Sequence, residues 1–578
     1  MVSQSSDDTP TGPIKGRAGQ VQQTPPPHAA QPQAAAAGGR AAAGDATRRW
    51  HIISDLTAVA LLVIALFLPW NLYFGVGIPK SNATLFVVLL AVTVLSVVAV
   101  AVAGSWRSSG ARFNPLTAGR LRLGLNVPYA LLVLAFVGFD AFETVRFGGT
   151  VTVPGGVGPG AWLGIAGALL SAQPVVTNPA AEDSKFRSAR IIGYAAMVGA
   201  VLSFAVNLYW RVRYALQSTG GAAEFGKQNI AVIATAVVYG VVALVAVLFA
   251  STWLLRSTKA TRLATVVLGA STLVAGIIVW SLPVGRDIDA FHGIAQNTST
   301  AGVGFEGYLA WAAAAAIFAP RTLLGHRNTA RTEENAWRAA ARNGLLLIAV
   351  WCLGSMAMRF TDLLVAVSLN YPFSRYDSMV LAAFDLATAL LAIWLRVNLV
   401  NDALSARLIT SLCGLVATLS VARVVVGVAL APRFAASPNS PAQHPVYGND
   451  LAQQITSTFD VALCGLALSI LAVAIITGHL TGRRLRRQGR RAARKRVLPA
   501  GARPSPAAPR TRVPVGRTSP PSAAATTRIR TGPPGADMES PTTEIPQLAP
   551  TPRIFRGDDS ATRHIPIQKP KIYRPPQT

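Results

Sequence analysis

Cysteine and acidic residues are scarce in this chain of 578 residues. Only three cysteines occur, Cys352, Cys413 and Cys464, and each lies inside an apolar stretch. A thiol in such a position is most often a small core hydrophobe, so the sequence does not support a disulfide framework or a cysteine-based metal site. Asp and Glu total 25 against 53 Lys and Arg, which gives a formal net charge of +28.

Sequence patterns that are typical of catalytic sites are missing as well. Multi-helix glycosyltransferases that use lipid-linked sugars carry paired acidic residues in the first outer loop, whereas the corresponding loop here, Asn71–Asn82, has no carboxylate. Asp287, Asp289 and His292 lie together in one loop, but this spacing without a further ligand is typical of a solvated loop. No metalloprotease or Ser/His/Asp pattern is present. The sequence therefore predicts no enzyme, no cofactor and no metal.

Long apolar runs fill residues 51–480. A helix needs roughly 20 apolar residues to cross the ~30 Å hydrocarbon core, and bundled helices satisfy every backbone group inside it. The predicted fold class is an all-α polytopic transmembrane helical bundle of about 12 spans. Spans 4 and 8, which are rich in Ala and Gly, are the weakest. The spans are predicted at 52–70, 83–104, 121–143, 159–176, 191–210, 229–254, 262–283, 304–320, 343–366, 379–398, 407–430 and 457–479.

Polar segments flank this transmembrane domain on both sides. Residues 1–50 have no short apolar core followed by a cleavage site, so we predict a disordered N-terminal tail and an uncleaved first span. Residues 481–578 hold 21 Lys and Arg against 5 Asp and Glu and are rich in proline. Such a segment buries too little apolar surface to fold alone, which predicts a disordered basic C-terminal tail.

The basic residues also predict the orientation of the bundle. Seventeen Lys and Arg lie in the turns after spans 2, 4, 6, 8 and 10, more than on the opposite side. By the positive-inside rule both termini are cytoplasmic, and the expected location is the cell (inner) membrane. These basic residues lie next to the transmembrane spans, and this location favours anionic lipids over nucleic acid as their partner. The predicted lipid contacts, which serve equally as a topological stop signal, are Arg483, Arg484, Arg486, Arg487, Arg490, Arg491, Arg494, Lys495 and Arg496.

Two segments that precede apolar runs resemble each other. Gly156–Leu163 aligns with Gly302–Leu309 at a constant offset of 146 residues. The alternative explanation is that a sequence rich in Ala, Gly and Val aligns with itself by chance. We predict three tandem repeats of four helices, at 51–176, 190–322 and 338–480.

Ionisable residues inside the apolar runs are the candidate functional residues, because charges are costly in a bilayer. Asp385 and Arg423 lie at a matched depth of roughly 9–11 Å, which predicts an intramembrane ion pair. Arg359 and Asp362 are three residues apart and are expected to pair with each other. Asp55 is expected to be a helix-start residue. The predicted polar cluster of the outer half is completed by Asp140, Glu143, Glu306, Arg359, Asp362 and Asp460. It forms either a helix clamp or the lining of a ligand cavity.

Three threonines in the C-terminal tail share a pattern. Thr542, Thr551 and Thr562 each have Ile three residues later, and Thr542 and Thr562 have an acidic residue three before. This resembles acidophilic threonine-kinase substrates of actinobacteria and the phosphothreonine ligands of forkhead-associated domains. A phosphate adds ~2 negative charges, which would release the tail from lipid or dock it on an Arg-lined partner.

The chain as a whole resembles uncharacterised multi-pass membrane proteins of mycobacteria and related actinobacteria. The similarity lies in Asp55-Leu56, Leu68-Pro69-Trp70-Asn71, the Gly-rich starts of spans 4 and 8, and the ending Ile572-Tyr573-Arg574-Pro575-Pro576. It implies a membrane protein of unknown role. The first functional hypothesis is a non-enzymatic envelope scaffold or anchor with a regulated tail. The alternative is a transporter or lipid flippase that uses the outer-half charges.

Overall fold

The computed structural model describes residues 33–70, 76, 82–108, 115–147, 156–173, 186–217, 226–282, 305–324, 330–370, 375–399, 404–430 and 457–476. These residues form twelve α-helices and contain no strand. The chain divides into two units, Met1–Leu498 and Pro499–Thr578, and every described residue belongs to the first. The all-helical prediction is therefore confirmed for the part of the chain that the structure describes.

Each of the twelve spans predicted from the sequence overlaps one helix, and α1 and α4 end before the predicted ends of spans 1 and 4. α1 begins within the segment that the sequence assigns to the N-terminal tail. The helices are α1 (Gln33–Ala65), α2 (Ala83–Ser108), α3 (Pro115–Phe147), α4 (Pro159–Ser171), α5 (Arg187–Gln217), α6 (Lys227–Arg256), α7 (Lys259–Ser281), α8 (Phe305–Leu324), α9 (Ala330–Ser368), α10 (Arg375–Asn398), α11 (Ala406–Ala429) and α12 (Thr458–Ile476). Among the described residues, nine helices are long and apolar enough to cross a membrane, namely α2, α3, α5–α7 and α9–α12.

The short helix α4 lies inside the bundle. Twelve of its 13 residues are buried, and it packs against α1, α3 and α8. α8 in turn packs against α7, α5 and α4, and its side chains are buried from Ala310 to Phe318. Alanine and glycine let the neighbouring helices approach closely. At about 1.5 Å per residue α4 is roughly 20 Å long, which is shorter than the hydrocarbon core.

Aromatic rings join the last helices of the three predicted repeats. The Trp162 ring of α4 lies 4.7 Å from the Tyr308 ring of α8, centroid to centroid. Phe459 of α12 lies 6.4 Å from Tyr308 and 4.8 Å from Trp351 of α9. α4, α8 and α12 are therefore linked through one buried aromatic cluster.

The start of α4 is held by the segment that follows α1. Trp70 is fully buried there, and its indole N–H donates to the Ala65 carbonyl at 3.1 Å. The backbone N–H groups of Gly158 and Gly160 donate to the carbonyls of Trp70 and Pro69, at 2.7 and 3.0 Å. A Cβ atom on Gly158 would lie 2.5 Å from the Pro69 carbonyl oxygen. Glycine is therefore required for this close approach of two backbones.

Burial differs strongly between the helices. In the most apolar 18-residue segment of each helix, only 22% of the residues are buried in α2, α3 and α5, against 61% in α7 and 56% in α9. The exposed side chains of the first group include Val87, Leu134 and Val198. A soluble monomer rarely exposes contiguous apolar patches larger than a few hundred Å². These three helices thus carry an apolar outer face that is compatible with membrane insertion.

Candidate functional site

Four charged side chains from four consecutive helices form one buried network. Asp385 of α10 is its centre and is fully buried. Its Oδ1 atom accepts a hydrogen bond from Arg423 Nη1 of α11 at 2.8 Å, and its Oδ2 atom accepts one from Arg359 Nε of α9 at 2.9 Å. The structure thus brings together Asp385 and Arg423, the two residues that the sequence places at a matched depth. We call Arg359, Asp385, Arg423 and Asp460 the charge network.

Asp460 of α12 is the fourth member of the charge network. Its Oδ1 atom accepts hydrogen bonds from Arg423 Nη2 and, at 2.5 Å, from the indole N–H of Trp351. Its Oδ2 atom accepts from the backbone N–H of Ser457 at 2.9 Å and from the Ser457 hydroxyl at 3.0 Å. The Asp460 N–H donates back to Ser457 Oγ at 3.1 Å. This reciprocal pattern caps the start of α12, so local helix chemistry fixes the position of the carboxylate.

The hydrogen-bonding capacity of the network is directed inward. Both oxygens of Asp385 and both oxygens of Asp460 are used within the bundle. Arg423 Nη1 also donates to the Cys352 sulfur at 3.3 Å. Removing one partner from a buried pair costs about 3–5 kcal/mol, because the other charge stays buried without compensation. The arrangement therefore holds α9, α10, α11 and α12 together.

Arg359 and Asp362 of α9 each form a hydrogen bond with a neighbouring helix. The Nε atom of Arg359 bonds Asp385, while Asp362 Oδ2 accepts from the Tyr239 hydroxyl of α6 at 2.5 Å. Arg359 also interacts electrostatically with Asp362, so each of the two has a hydrogen-bond partner on a neighbouring helix in addition to the charge beside it on α9. The bond between Tyr239 and Asp362 links the second predicted repeat to the third.

Two other predicted residues of the outer-half cluster, Asp140 and Glu143, lie on a different part of the bundle. Asp140 and Glu143 are on α3, which packs against α2 and α4, and Asp140 is buried. Glu306 is on α8, with a side chain outside the described residues. The structure therefore does not place Asp140 and Glu143 with the charge network. The predicted tail sites also lie outside the described residues: Arg483, Arg484, Arg486, Arg487, Arg490, Arg491, Arg494, Lys495, Arg496, Thr542, Thr551 and Thr562.

Asp55 has a different role from the expected one. α1 begins at Gln33, so Asp55 lies in the middle of the helix and does not cap its start. Its Oδ1 atom is 2.6 Å from Arg122 Nη2 of α3, and the pair is largely buried. The sequence missed this pair because helix-start chemistry was the simpler explanation of a carboxylate at the edge of an apolar run.

Sequence reasoning also missed several neutral partners of the charges. Trp351, Ser457, Cys352 and Tyr239 all bond a charged member of the site. Only Ser457 had a readable signal, since a serine three residues before Asp460 fits a helix-capping pattern. The described residues contain no group of three or more His, Cys, Asp or Glu placed to hold a metal ion.

The fold and the charge network define a class: an all-helical bundle with apolar helices compatible with membrane insertion and with ion pairs in its interior. The chain belongs to the family described as Domain of unknown function (DUF7937), which matches residues 51–479. No curated protein and no solved structure matches the chain.

Proposed function

We propose that the chain is a non-enzymatic scaffold or anchor in the cell (inner) membrane. Its helical bundle fixes the protein in the bilayer, and its basic cytoplasmic tail docks partners under the control of threonine phosphorylation. The observation that carries this proposal is the inward use of the charge network. Asp385 and Asp460 bond residues of the bundle with all four carboxylate oxygens, as a helix clamp requires.

A transporter or flippase would instead direct such charges toward a ligand. One small pocket of about 20 Å³ between α7, α9 and α12 is lined chiefly by apolar side chains, among them Val267, Trp337 and Leu466. No member of the charge network lines it. The contacts of the network thus favour the structural interpretation of these charges.

The apolar outer faces of α2, α3 and α5 support the membrane location. We expect both termini to be cytoplasmic, and cysteine labelling tests this orientation. Thr298→Cys, in the loop between α7 and α8, should react with an impermeant maleimide in intact cells. Ser505→Cys, in the C-terminal tail, should react only after permeabilisation. The three native cysteines are buried and give little background. Labelling of Ser505→Cys in intact cells would contradict the proposed orientation.

The scaffold role predicts partners that depend on the tail. The full chain and a chain without residues 481–578 are each purified by affinity from cells with active threonine kinases, and bound proteins are quantified. We expect specific partners with the full chain and their loss on truncation. Replacing Thr542, Thr551 and Thr562 by Ala should have the same effect as truncation, because the phosphate supplies the charge that an Arg-lined partner binds.

A matched variant controls for the loss of threonine itself. Thr518, Thr527 and Thr531 lie in the same tail without Ile three residues later, and their joint replacement by Ala should leave binding unchanged. Equal recovery of partners by the full chain and the truncated chain would reject the scaffold role. Transport assays with Asp385→Asn would then test the alternative.

A further inference from the structure

Two buried oxygen atoms between α6 and α9 have no hydrogen-bond partner among the described residues. One is the hydroxyl oxygen of Thr235, a residue with 0% exposure, and the other is Oδ1 of Asp362. Thr265 and Thr272 of α7, in contrast, each donate to the carbonyl four residues earlier at 3.0 Å. Buried polar groups are almost always satisfied, so these two atoms call for a ligand.

The register of the two helices places these atoms at the same level. Val232 of α6 and Val365 of α9 belong to one buried cluster, and a Cβ on Gly354 of α9 would lie 2.5 Å from Val242 of α6. The helices are therefore antiparallel, and Thr235 is level with Asp362. Thr235 is three residues after Val232 and four before Tyr239, and both of these face α9. Residues at this spacing share one face of a helix, so Thr235 faces α9 as well.

Charged and polar groups surround this point from several helices. α9 supplies Arg359 and Asp362, and α6 supplies the Tyr239 hydroxyl. α7 carries only Lys259 and Arg262, which lie in its first turn, and Lys259 is near Glu333 at the opposite end of α9. α5, which packs against α6, carries the buried Arg211 one turn before Ala215 of the buried cluster that includes Val232. Asp362 together with the charge network makes three aspartates against two arginines. The full set is Arg359, Asp362, Asp385, Arg423 and Asp460.

We propose that Thr235, Tyr239 and Asp362 bind one small monovalent cation, either Na⁺ or H₃O⁺. A hard cation takes oxygen ligands, and the site offers a hydroxyl, a phenol oxygen and a carboxylate. The bound cation offsets the negative charge of Asp362 and satisfies both oxygens that lack partners. Asp362 is six residues from the end of α9, or roughly 9 Å, so the site is within reach of the surface.

The test measures the thermal unfolding midpoint of the full chain purified in detergent. NaCl replaces N-methylglucamine chloride at constant chloride and at pH 8, and a parallel series uses KCl. We expect a midpoint that rises with Na⁺ and saturates, since a ligand that binds only the folded state stabilises it by mass action. A Na⁺-free series from pH 8 to pH 5 distinguishes H₃O⁺, which would raise the midpoint as the pH falls.

Three variants locate the effect. Asp362→Asn should abolish the dependence on Na⁺ or on pH, because it removes the charged ligand. Thr235→Val should lower the apparent affinity about tenfold, since one ligand oxygen is lost. Thr272→Val makes the same change at a buried threonine whose hydroxyl is bonded to its own helix, and it should keep the dependence of the wild-type chain.

The results decide the proposal even if Asp362→Asn does not fold, because Thr235→Val and Thr272→Val can then be compared directly. A thermal unfolding midpoint of the wild-type chain that changes with neither Na⁺ nor pH would overturn the proposal. A dependence that persists unchanged in Thr235→Val or in Asp362→Asn would overturn it as well. Loss of the dependence in Thr272→Val would assign it to threonine substitution in general and also reject the site.

Discussion

Replacing Asp385 by Asn is expected to lower the free energy of unfolding by about 3–5 kcal/mol, because two buried guanidinium groups lose the carboxylate that they share. Arg423 keeps Asp460, whereas Arg359 loses the carboxylate that its Nε atom bonds. Thermal unfolding of the full chain in detergent measures the effect. Glu334→Gln is the control, since it breaks a partly exposed pair with Arg338 that is worth only about 0.3–0.5 kcal/mol.

A charge swap distinguishes a network from a simple pair. In a simple pair, the double variant Asp385→Arg with Arg423→Asp would restore the stability that either single change removes. In the charge network the swap places an arginine beside Arg359 and an aspartate beside Asp460. Both contacts then join like charges, so we expect no recovery. Stability of the double variant close to that of the wild-type chain would refute the four-residue network.

Gly158→Ala is expected to destabilise the bundle by about 1–3 kcal/mol through overpacking at the start of α4. The backbone of Gly158 has φ −80° and ψ 177°, which suits alanine, so the cost arises from contact alone. The added Cβ would lie 2.5 Å from the Pro69 carbonyl oxygen, and backbone moves less readily than a side chain. The shift also weakens the bond from the Gly158 N–H to the Trp70 carbonyl.

Gly138→Ala is a control for which we expect a change in stability of the opposite sign. Gly138 is exposed in the middle of α3, and a Cβ there would have no neighbour within 4 Å. Alanine favours a helix over glycine by about 1 kcal/mol, so this variant should be slightly more stable than the wild-type chain. Unfolding midpoints of the two variants measured side by side test the argument. A similar change in both would show that α4 and the segment after α1 do not meet as described.

The helices could be predicted from the sequence because apolar runs of this length have few alternatives. The ion pair between Asp385 and Arg423 was also predictable, since charges inside apolar helices need partners and these two lie at one depth. The hydrogen-bond partners of Arg359 and Asp362 could not be predicted in this way. Spacing along one helix made them neighbours, but the packing of α10 and α6 against α9 decides their contacts.

The short helix α4 illustrates a second limit of the sequence. Its alanines and glycines make it a weak candidate for crossing a bilayer, and the same composition makes it suitable for the interior of the bundle. The hydrophobic periodicity of the sequence cannot distinguish a lipid-facing α4 from an α4 inside the bundle, because every face of α4 is buried. Only contacts with residues far away in the chain do so, such as Tyr308 beside Trp162 and Gly276 beside Pro159.

The buried position of α4 has a consequence for biogenesis. Part of its surroundings comes from α7 and α8, which the ribosome makes later. α8 ends about 150 residues after α4, and at about 5–20 residues per second this delay is of the order of ten seconds. During that time α4 lacks two of the five helices that it packs against. The packing around α4 is therefore completed only after α7 and α8 have been made.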